Sequence, residues 1–359
     1  MNESDNAPIE ATIHSEPSAP PVAAPAQLAP TVEITGVEAV DRAADLLHGG
    51  GLVAFATETV YGLGADANNK DALQRLYKVK HRPLAHPVIV HLASADDLPH
   101  WAAEVSTHAE KLAAAFWPGP LTLVVKRAQH VLDEVTGGQD TVALRVPRHA
   151  LATALLEAFC GSGEDRQPRG IAAPSANRFG KISPTTAEHV RADLGVDVDL
   201  ILDGGACDVG IESTIVDVSG EVPAILRPGR ITNAQIETLL NISLAGPSEA
   251  SPTVSGSLPV HYAPRAKAKL AKRVQIIEQL ATNRGRRIAV LALEVSVARL
   301  APALTVVEKA APSRYAQTLY ANLRHLDATG ADLILIETPP DTPAWAAVMD
   351  RLRRATRAD

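Results

Sequence analysis

With 359 residues, the chain has room for two domains of ordinary size, each burying a core of its own. Aromatics supply only 3% of it, so those cores must be built mainly from Ala, Val, Leu and Ile. A formal net charge of -7 excludes a protein that coats nucleic acid through bulk positive charge and leaves room only for a local basic cleft.

The two cysteines, Cys160 and Cys207, cannot form a zinc knuckle or a redox dithiol; as small core residues they fit a reducing compartment. The opening text MNESDNAPIEATIHSEPSAP lacks the basic start and apolar stretch of a secretory signal. No apolar run reaches the length of about eighteen residues that a membrane span needs. These features predict a cytoplasmic protein without membrane attachment.

Residues 1–31, rich in Ala, Pro, Ser and acidic residues, read as a disordered tail. From Val32 to position 243 short β-like runs alternate with helical patterns, as in an α/β domain. VEAVDRAADLLHGG has helical spacing and a glycine stop, GLVAFAT reads as a buried strand, NKDALQRLYKVK as a helix and HPVIVHL as the next strand. SADDLPHWAAEVSTHAEKLAAAF predicts a helix up to the WPGP break, and LTLVVKR and VALRVP predict strands. Helix HALATALLEAF, strand GIAAPSA, helix TTAEHVRADLG, strands DLILDGG, STIVDVS and AILRPG, and a capped helix TNAQIETLLN complete the domain.

Residues 244–264 form a Pro-, Ser- and Gly-rich linker ending in PVHYAP. In 265–359, RRIAVLAL and ADLILIETPP read as strands separated by the helix SRYAQTLYANLRHLDATG, predicting a small βαβ-type domain.

Chemistry concentrates in short motifs. Lys80, Arg82, His86 and His91 gather in KVKHRPLAHPVIVHL, where Pro83 and Pro87 stiffen a cationic loop suited to polyphosphate. His81, His86 and His91 recur every five residues, which matches neither a helix face nor a strand face and argues against metal ligation. His91 interrupts an apolar strand, as a group holding a carboxylate or hydroxyl would, or equally as a satisfied core histidine. APSANRFGKISPT offers Ser175, Asn177, Ser183 and Thr185 as hydrogen-bonding groups on a loop of small residues, with a plain N-capped turn as the competing reading. Arg145 and Arg227 stand near strand ends, where a charge is costly without a partner, and could clamp phosphates or a carboxylate. TETVYGLG sets Thr57, Glu58 and Thr59 at the end of a strand, with Glu58 expected to face solvent and Gly62 and Gly64 to turn the chain away. Neither GxxxxGK[ST] nor GxGxxG occurs, so a nucleotide would not be held in either of those manners.

Taken in order, TETVYGLG, KHRP, HPVIVH, WPGPLT, APSAN, SPT, ESTIVD and LRPG resemble the YrdC-like family of threonylcarbamoyl-adenylate synthases over about residues 33–235. HYAP and the tail LYANLRHLD, IETPP and AWAAVMDRLRRA resemble the long, two-domain form. The resemblance implies an open twisted mixed α/β sheet with a second, smaller Rossmann-like α/β domain. It implies an enzyme that joins L-threonine, bicarbonate and ATP, with Mg2+ accompanying ATP, into threonylcarbamoyl-AMP and pyrophosphate. The product would serve N6-threonylcarbamoyladenosine formation on tRNA through a threonylcarbamoyl-transferring complex.

Carried over by motif, Thr59, His91, Arg145, Ser175 and Ser213 would bind threonine. Arg82, His86, Thr141, Asn177, Thr185, Arg227 and Tyr262 would bind ATP, with Lys80 and Arg82 acting at the phosphates. A non-catalytic module binding tRNA or rRNA is the rival reading, but its basic residues would be spread over a wide face. A hydrogenase-maturation carbamoyltransferase would carry zinc-finger cysteine pairs that two distant cysteines cannot make.

Overall fold

Alternation along the short apolar runs decides the architecture. In the strand Val53–Phe55, Val53 and Phe55 join one core with the helices Val37–His48 and Ala150–Cys160. Its neighbours Leu52, Ala54 and Ala56 join another with Leu73, Leu76 and Tyr77 of the helix Lys70–Lys80. Side chains of a strand point alternately to opposite faces, so helices cover both sides of the sheet. The computed structural model describes residues 32–34, 37–283, 285–293, 305–307 and 311–357. The expected disordered tail, 1–31, lies outside the described residues.

The large sheet contains β1 (Val32–Ile34), β2 (Val53–Phe55), β3 (Gly62–Asp66), β4 (Ile89–Leu92), β5 (Leu121–Lys126), β6 (Thr141–Arg145), β7 (Gly170–Ala172), β8 (Leu200–Leu202), β9 (Thr214–Asp217) and β10 (Ala224–Arg227). Their order is β1-β8-β2-β3-β7-β4-β6-β5-β9-β10. Parallel pairs such as β4 with β6 alternate with antiparallel ones such as β2 with β3, so the sheet is open and mixed, as expected.

Two local expectations need correction. Gly62 and Gly64 do not turn the chain away but lie in β3. A Cβ on Gly64 would stand 2.8 Å from Ile171 Cγ2 and 2.9 Å from Phe55 Cε1, so close strand packing is what the glycine serves. The helix expected across residues 94–116 is broken: Leu98–Trp101 and Thr107–Phe116 are separate, and the Ser106 hydroxyl caps the second by accepting from Ala109 N.

A second sheet holds β11 (Lys267–Ala271), β12 (Ile288–Ala292), β13 (Thr305–Val307) and β14 (Leu333–Glu337) in the order β11-β14-β12-β13, all parallel. The helix Pro312–Ala328 buries Tyr315, Leu319, Tyr320, Leu323 and Leu326, a stripe at helical spacing. The helix Ala346–Ala355 completes this half. Val60, Ile182, Ile211 and Tyr262 join the core of the second sheet, so the halves share apolar contacts. Between Leu240 and Lys267 the chain forms no helix or strand and runs between the halves. No helix among the described residues is long and apolar enough to cross a membrane.

Candidate active site

Register places the site. His91 of β4 lies beside Arg145 of β6 and beside Ile171 of β7. Ile89, His91, Gly62 and Ala173 line a cavity over this face of the sheet. A Cβ on Gly62 would sit 3.1 Å from the Ala173 methyl, so small residues leave the floor open.

The turn after β2 supplies one wall. The Thr57 hydroxyl accepts from the backbone of Thr59 and Val60 and donates to the Val60 carbonyl at 2.6 Å. Its single proton is thereby used, so the Thr59 hydroxyl, 2.8 Å away, donates to it and accepts from Arg145 Nη1 at 2.9 Å. Glu58 does not face solvent: it is buried, 2.7 Å from Arg145 Nη2. The pair meets without hydrogen-bond alignment, leaving Nη2 and both carboxylate oxygens unbonded. Glu58 supplies the counter-charge that a buried arginine needs, which a reading of Glu58 as a surface residue overlooks.

His91 is buried, and its Nδ1 has no partner. Burial, reinforced by the charge of Arg145, pushes its pKa down to about 3. The imidazole is therefore neutral at ordinary pH and offers an unused polar atom.

The opposite wall comes from the start of β9 and the end of β10. Arg227 donates through Nε to the Ser213 carbonyl at 3.0 Å, through Nη2 to the Ser213 hydroxyl at 3.1 Å and through Nη1 to the Ser255 carbonyl at 2.8 Å. The Ser213 hydroxyl also meets Thr122 Oγ1 at 2.7 Å. Ser255, Gly256, His261 and Tyr262 form the roof. Tyr262 takes φ 61, an uncommon backbone state for a bulky residue, and its buried hydroxyl has no partner. A Cβ on Gly256 would fall 2.4 Å from that hydroxyl, so only glycine leaves the tyrosine its place.

Thr59, His91, Arg145, Ser175, Ser213, Arg227 and Tyr262 thus line one cavity. The remaining candidates do not line it. Lys80, fully buried, donates to the carbonyl oxygens of Ser175 and Asn177. Burial, then the Arg82 guanidinium, push its amine well below the ordinary lysine range. Arg82 donates to the carbonyls of His86 and Pro87. The Phe179 ring lies 5.3 Å from the Arg82 guanidinium, 5.3 Å from the His86 ring and 6.1 Å from the His261 ring, joining this cationic loop to the roof. The Asn177 amide donates to the carbonyls of Arg178 and Lys181, leaving its oxygen unbonded. Thr185 faces His189 Nδ1. Thr141 borders a neighbouring depression with Thr253 and Ser255, the latter shared with the cavity.

Sequence reasoning missed Phe179 and His261, although both lie inside the motifs APSANRFGKISPT and PVHYAP. It also missed Tyr320 and Arg351, which lie in LYANLRHLD and AWAAVMDRLRRA, where nothing local marks either residue as facing the cavity wall. Both bind Glu212, which lines the cavity: Arg351 Nε at 2.8 Å and the Tyr320 hydroxyl at 2.9 Å, while Ser183 Oγ donates to its other oxygen at 2.6 Å. Against the upward push of burial, Arg351 and Arg227 hold the Glu212 carboxyl at about 2.

These values set a pH dependence. Burial, partly opposed by Glu212, pushes His261 down to about 3, as burial does for His91. The unfolded chain therefore binds more protons below about pH 6.5, and stability falls as pH drops from there toward 3, by up to about 1.4 kcal/mol per pH unit for each histidine. Glu212, depressed instead, adds its loss between the unfolded carboxyl value of 4.5 and about 2. His189 adds a third such group, pushed down to about 4 by burial and then by the Arg324 charge, so the melting temperature should fall steadily from pH 7 to pH 4.5 with proton uptake on unfolding rising toward three; an unchanged melting temperature over that range would contradict these assignments.

Comparison with known proteins gives consistent matches. A family model for the Sua5, YciO and YrdC proteins, described as telomere recombination, matches residues 45–229. A model described as threonylcarbamoyl-AMP synthase, C-terminal domain, matches residues 231–356. A threonylcarbamoyl-AMP synthase of Pyrococcus abyssi is 38% identical over 88% of this chain and 93% of its own. One of Bacillus subtilis is 39% identical over 88% of this chain and 92% of its own. The crystal structure of Pyrococcus abyssi Sua5 complexed with L-threonine superposes with a TM-score of 0.81 at 36% identity, covering 91% of this chain and 98% of that one.

Proposed function

The chain belongs to the Sua5/YciO/YrdC family, in the form that carries the threonylcarbamoyl-AMP synthase C-terminal domain, and from that premise we propose that it makes threonylcarbamoyl-AMP from L-threonine, bicarbonate and ATP. The observation that carries the ATP part is electrostatic. Lys80, Arg82 and Arg227 are buried, yet their hydrogen bonds among the described residues go only to carbonyl and hydroxyl oxygens. Arg227 feels the Glu212 carboxylate, which Arg351 already binds, but among the described residues none of the three cations is hydrogen-bonded to a carboxylate; such cations are costly to bury, and a polyphosphate would supply the missing charge. The relative crystallised with L-threonine supports the amino-acid part.

In this reading Thr59, His91, Arg145, Ser175 and Ser213 bind threonine. Bicarbonate supplies carbon dioxide by losing hydroxide; the threonine amine attacks that carbon dioxide to form N-carboxythreonine, and the proton it loses joins the hydroxide as water. The new carboxylate attacks the α-phosphate of ATP; the bond from that phosphorus to the bridging oxygen breaks, and pyrophosphate departs with the electron pair. The chain positions the reactants and neutralises the departing charge through Lys80, Arg82 and Arg227, with no covalent nucleophile.

Magnesium would arrive with ATP. Among the described residues no group of three or more His, Cys, Asp or Glu could hold a metal, and Glu212 has both oxygens engaged. The described residues provide no such cage, and no step here depends on one.

The product would serve tRNA N6-threonylcarbamoyladenosine synthesis in the cytoplasm. The RNA-module reading gains no support from the surface: Arg75, Arg127, Arg166, Arg178 and Arg324 are each tied to an aspartate. The deciding experiment is pyrophosphate release from ATP by the purified full chain with each reactant omitted in turn. Release should require both threonine and bicarbonate. Release indifferent to threonine would sink the proposal.

A further inference from the structure

The second half of the chain grips the cavity through its last helix. Arg351 is fully buried, although an arginine is seldom so. Besides its bond to the Glu212 carboxylate, it donates through Nη1 to the Pro228 carbonyl at 3.0 Å and through Nη2 to the Glu212 carbonyl at 3.3 Å. Pro228 and Glu212 neighbour Arg227 and Ser213 in the chain, so one guanidinium braces both strands of that wall. It also stands 5.5 Å from the Tyr262 ring centroid, and the Tyr320 ring stacks on Tyr262 at 5.6 Å and 27°.

The same helix holds the rest of the roof. His261 N donates to the Arg354 carbonyl at 3.3 Å, and the Arg354 guanidinium donates to the Leu258 carbonyl. Tyr262, held in its uncommon backbone state with an unpartnered hydroxyl, keeps that place because Arg351 and Tyr320 pack against its ring. A lysine could not reproduce this: its single ammonium cannot reach acceptors fanned around a planar fork.

We propose that Arg351 is a positioning residue for the ATP site: through Glu212 and Tyr262, the C-terminal helix sets the wall and roof of the cavity. The second half of the chain is then part of the active site and not simply the carrier of the preceding segment. This rests on the threonylcarbamoyl-AMP synthase reading for its kinetic arm, and on the geometry alone for its other arm.

The test uses Arg351→Lys and Tyr320→Phe in the full chain. Arg351→Lys should raise the KM for ATP about tenfold, the loss of one charge-assisted hydrogen bond, with kcat within about threefold. Tyr320→Phe, which keeps the ring stack and loses only the bond to Glu212, should shift the same constant by about threefold. In the ligand-free protein, chymotrypsin should cut after Tyr262, which is followed by Ala263, faster in both variants than in the parent. A purely structural role would instead lower kcat through the active fraction, with both KM values unchanged and cleavage raised at all sites alike and not at Tyr262 in particular, and that result would overturn the proposal. If Arg351→Lys does not fold, Tyr320→Phe decides by the same criteria. If the parent releases no threonine-dependent pyrophosphate, the functional reading falls, and cleavage at Tyr262 that is unchanged, or raised only along with all other sites, would still refute the positioning role, while faster cleavage confined to Tyr262 would uphold it.

Discussion

Arg227→Ala is expected to lower kcat/KM for ATP by about two to three orders of magnitude, more than any other single replacement in the cavity. The guanidinium is 2% exposed, and burial lowers its pKa, so it carries its charge at a cost. Three of its N–H groups are spent on Ser213 and Ser255, and the others remain to meet a phosphate. Two charge-assisted bonds at about 1.5–3 kcal/mol each account for the expected loss. The fold should survive, because the acceptors left behind are neutral oxygens and no carboxylate is orphaned. Arg227→Lys should fall between, retaining charge without the fork. Steady-state kinetics over a range of ATP concentrations, with melting curves as a control for folding, would check this. A folded Arg227→Ala protein with unchanged kcat/KM for ATP would remove Arg227 from the phosphate site.

Why Arg227 was legible in the sequence while Arg351 was not follows from physics. Arg227 interrupts the strand-like run AILR, where a charge must find a partner, so its cost is visible in four residues. Arg351 sits among the charged residues of DRLRRA, on a helix that reads as amphipathic with a solvated face. Only the packing of one half on the other turns its position inward. Glu58 failed for the same reason: its counterion, Arg145, lies 87 positions away, and nothing local requires the carboxylate to be buried. His91 remained open because a buried neutral histidine looks the same in sequence whether or not its Nδ1 is satisfied; here it is not.

The fold shows a similar division. Runs such as LTLVVK and LILIE are strands on composition alone, and both are buried strands here. GLGAD has almost no β propensity and becomes β3 because flanking strands need a residue without a side chain at Gly64. KAKLA, read as no element, becomes β11 by pairing in parallel with β14, 66 positions along the chain at every register point. Tertiary pairing overrides weak propensity in both cases.

Lys80→Met should lower kcat about a hundredfold, the scale on which a preorganised charge at a leaving group acts. The amine already donates to two carbonyls and has one N–H left for an incoming oxygen. Its depressed basicity, from burial and Arg82, makes an arriving polyphosphate the group that restores its charge. ATP binding by the parent should then be accompanied by proton uptake wherever Lys80 is partly neutral, and Lys80→Met should lose that uptake. Methionine keeps the apolar stem packed but leaves the Ser175 and Asn177 carbonyls short of a donor, at a cost of about 1–3 kcal/mol for each. That cost creates the competing account, in which Lys80 only braces the loop carrying Ser175. Bracing alone would appear as a raised KM for threonine with kcat nearly intact, because Ser175 lines the cavity and the phosphates would lose nothing. Stabilisation of the departing pyrophosphate would appear in kcat, measured in a single turnover with saturating threonine and ATP. A folded Lys80→Met protein with full turnover would exclude the amine from the reaction altogether.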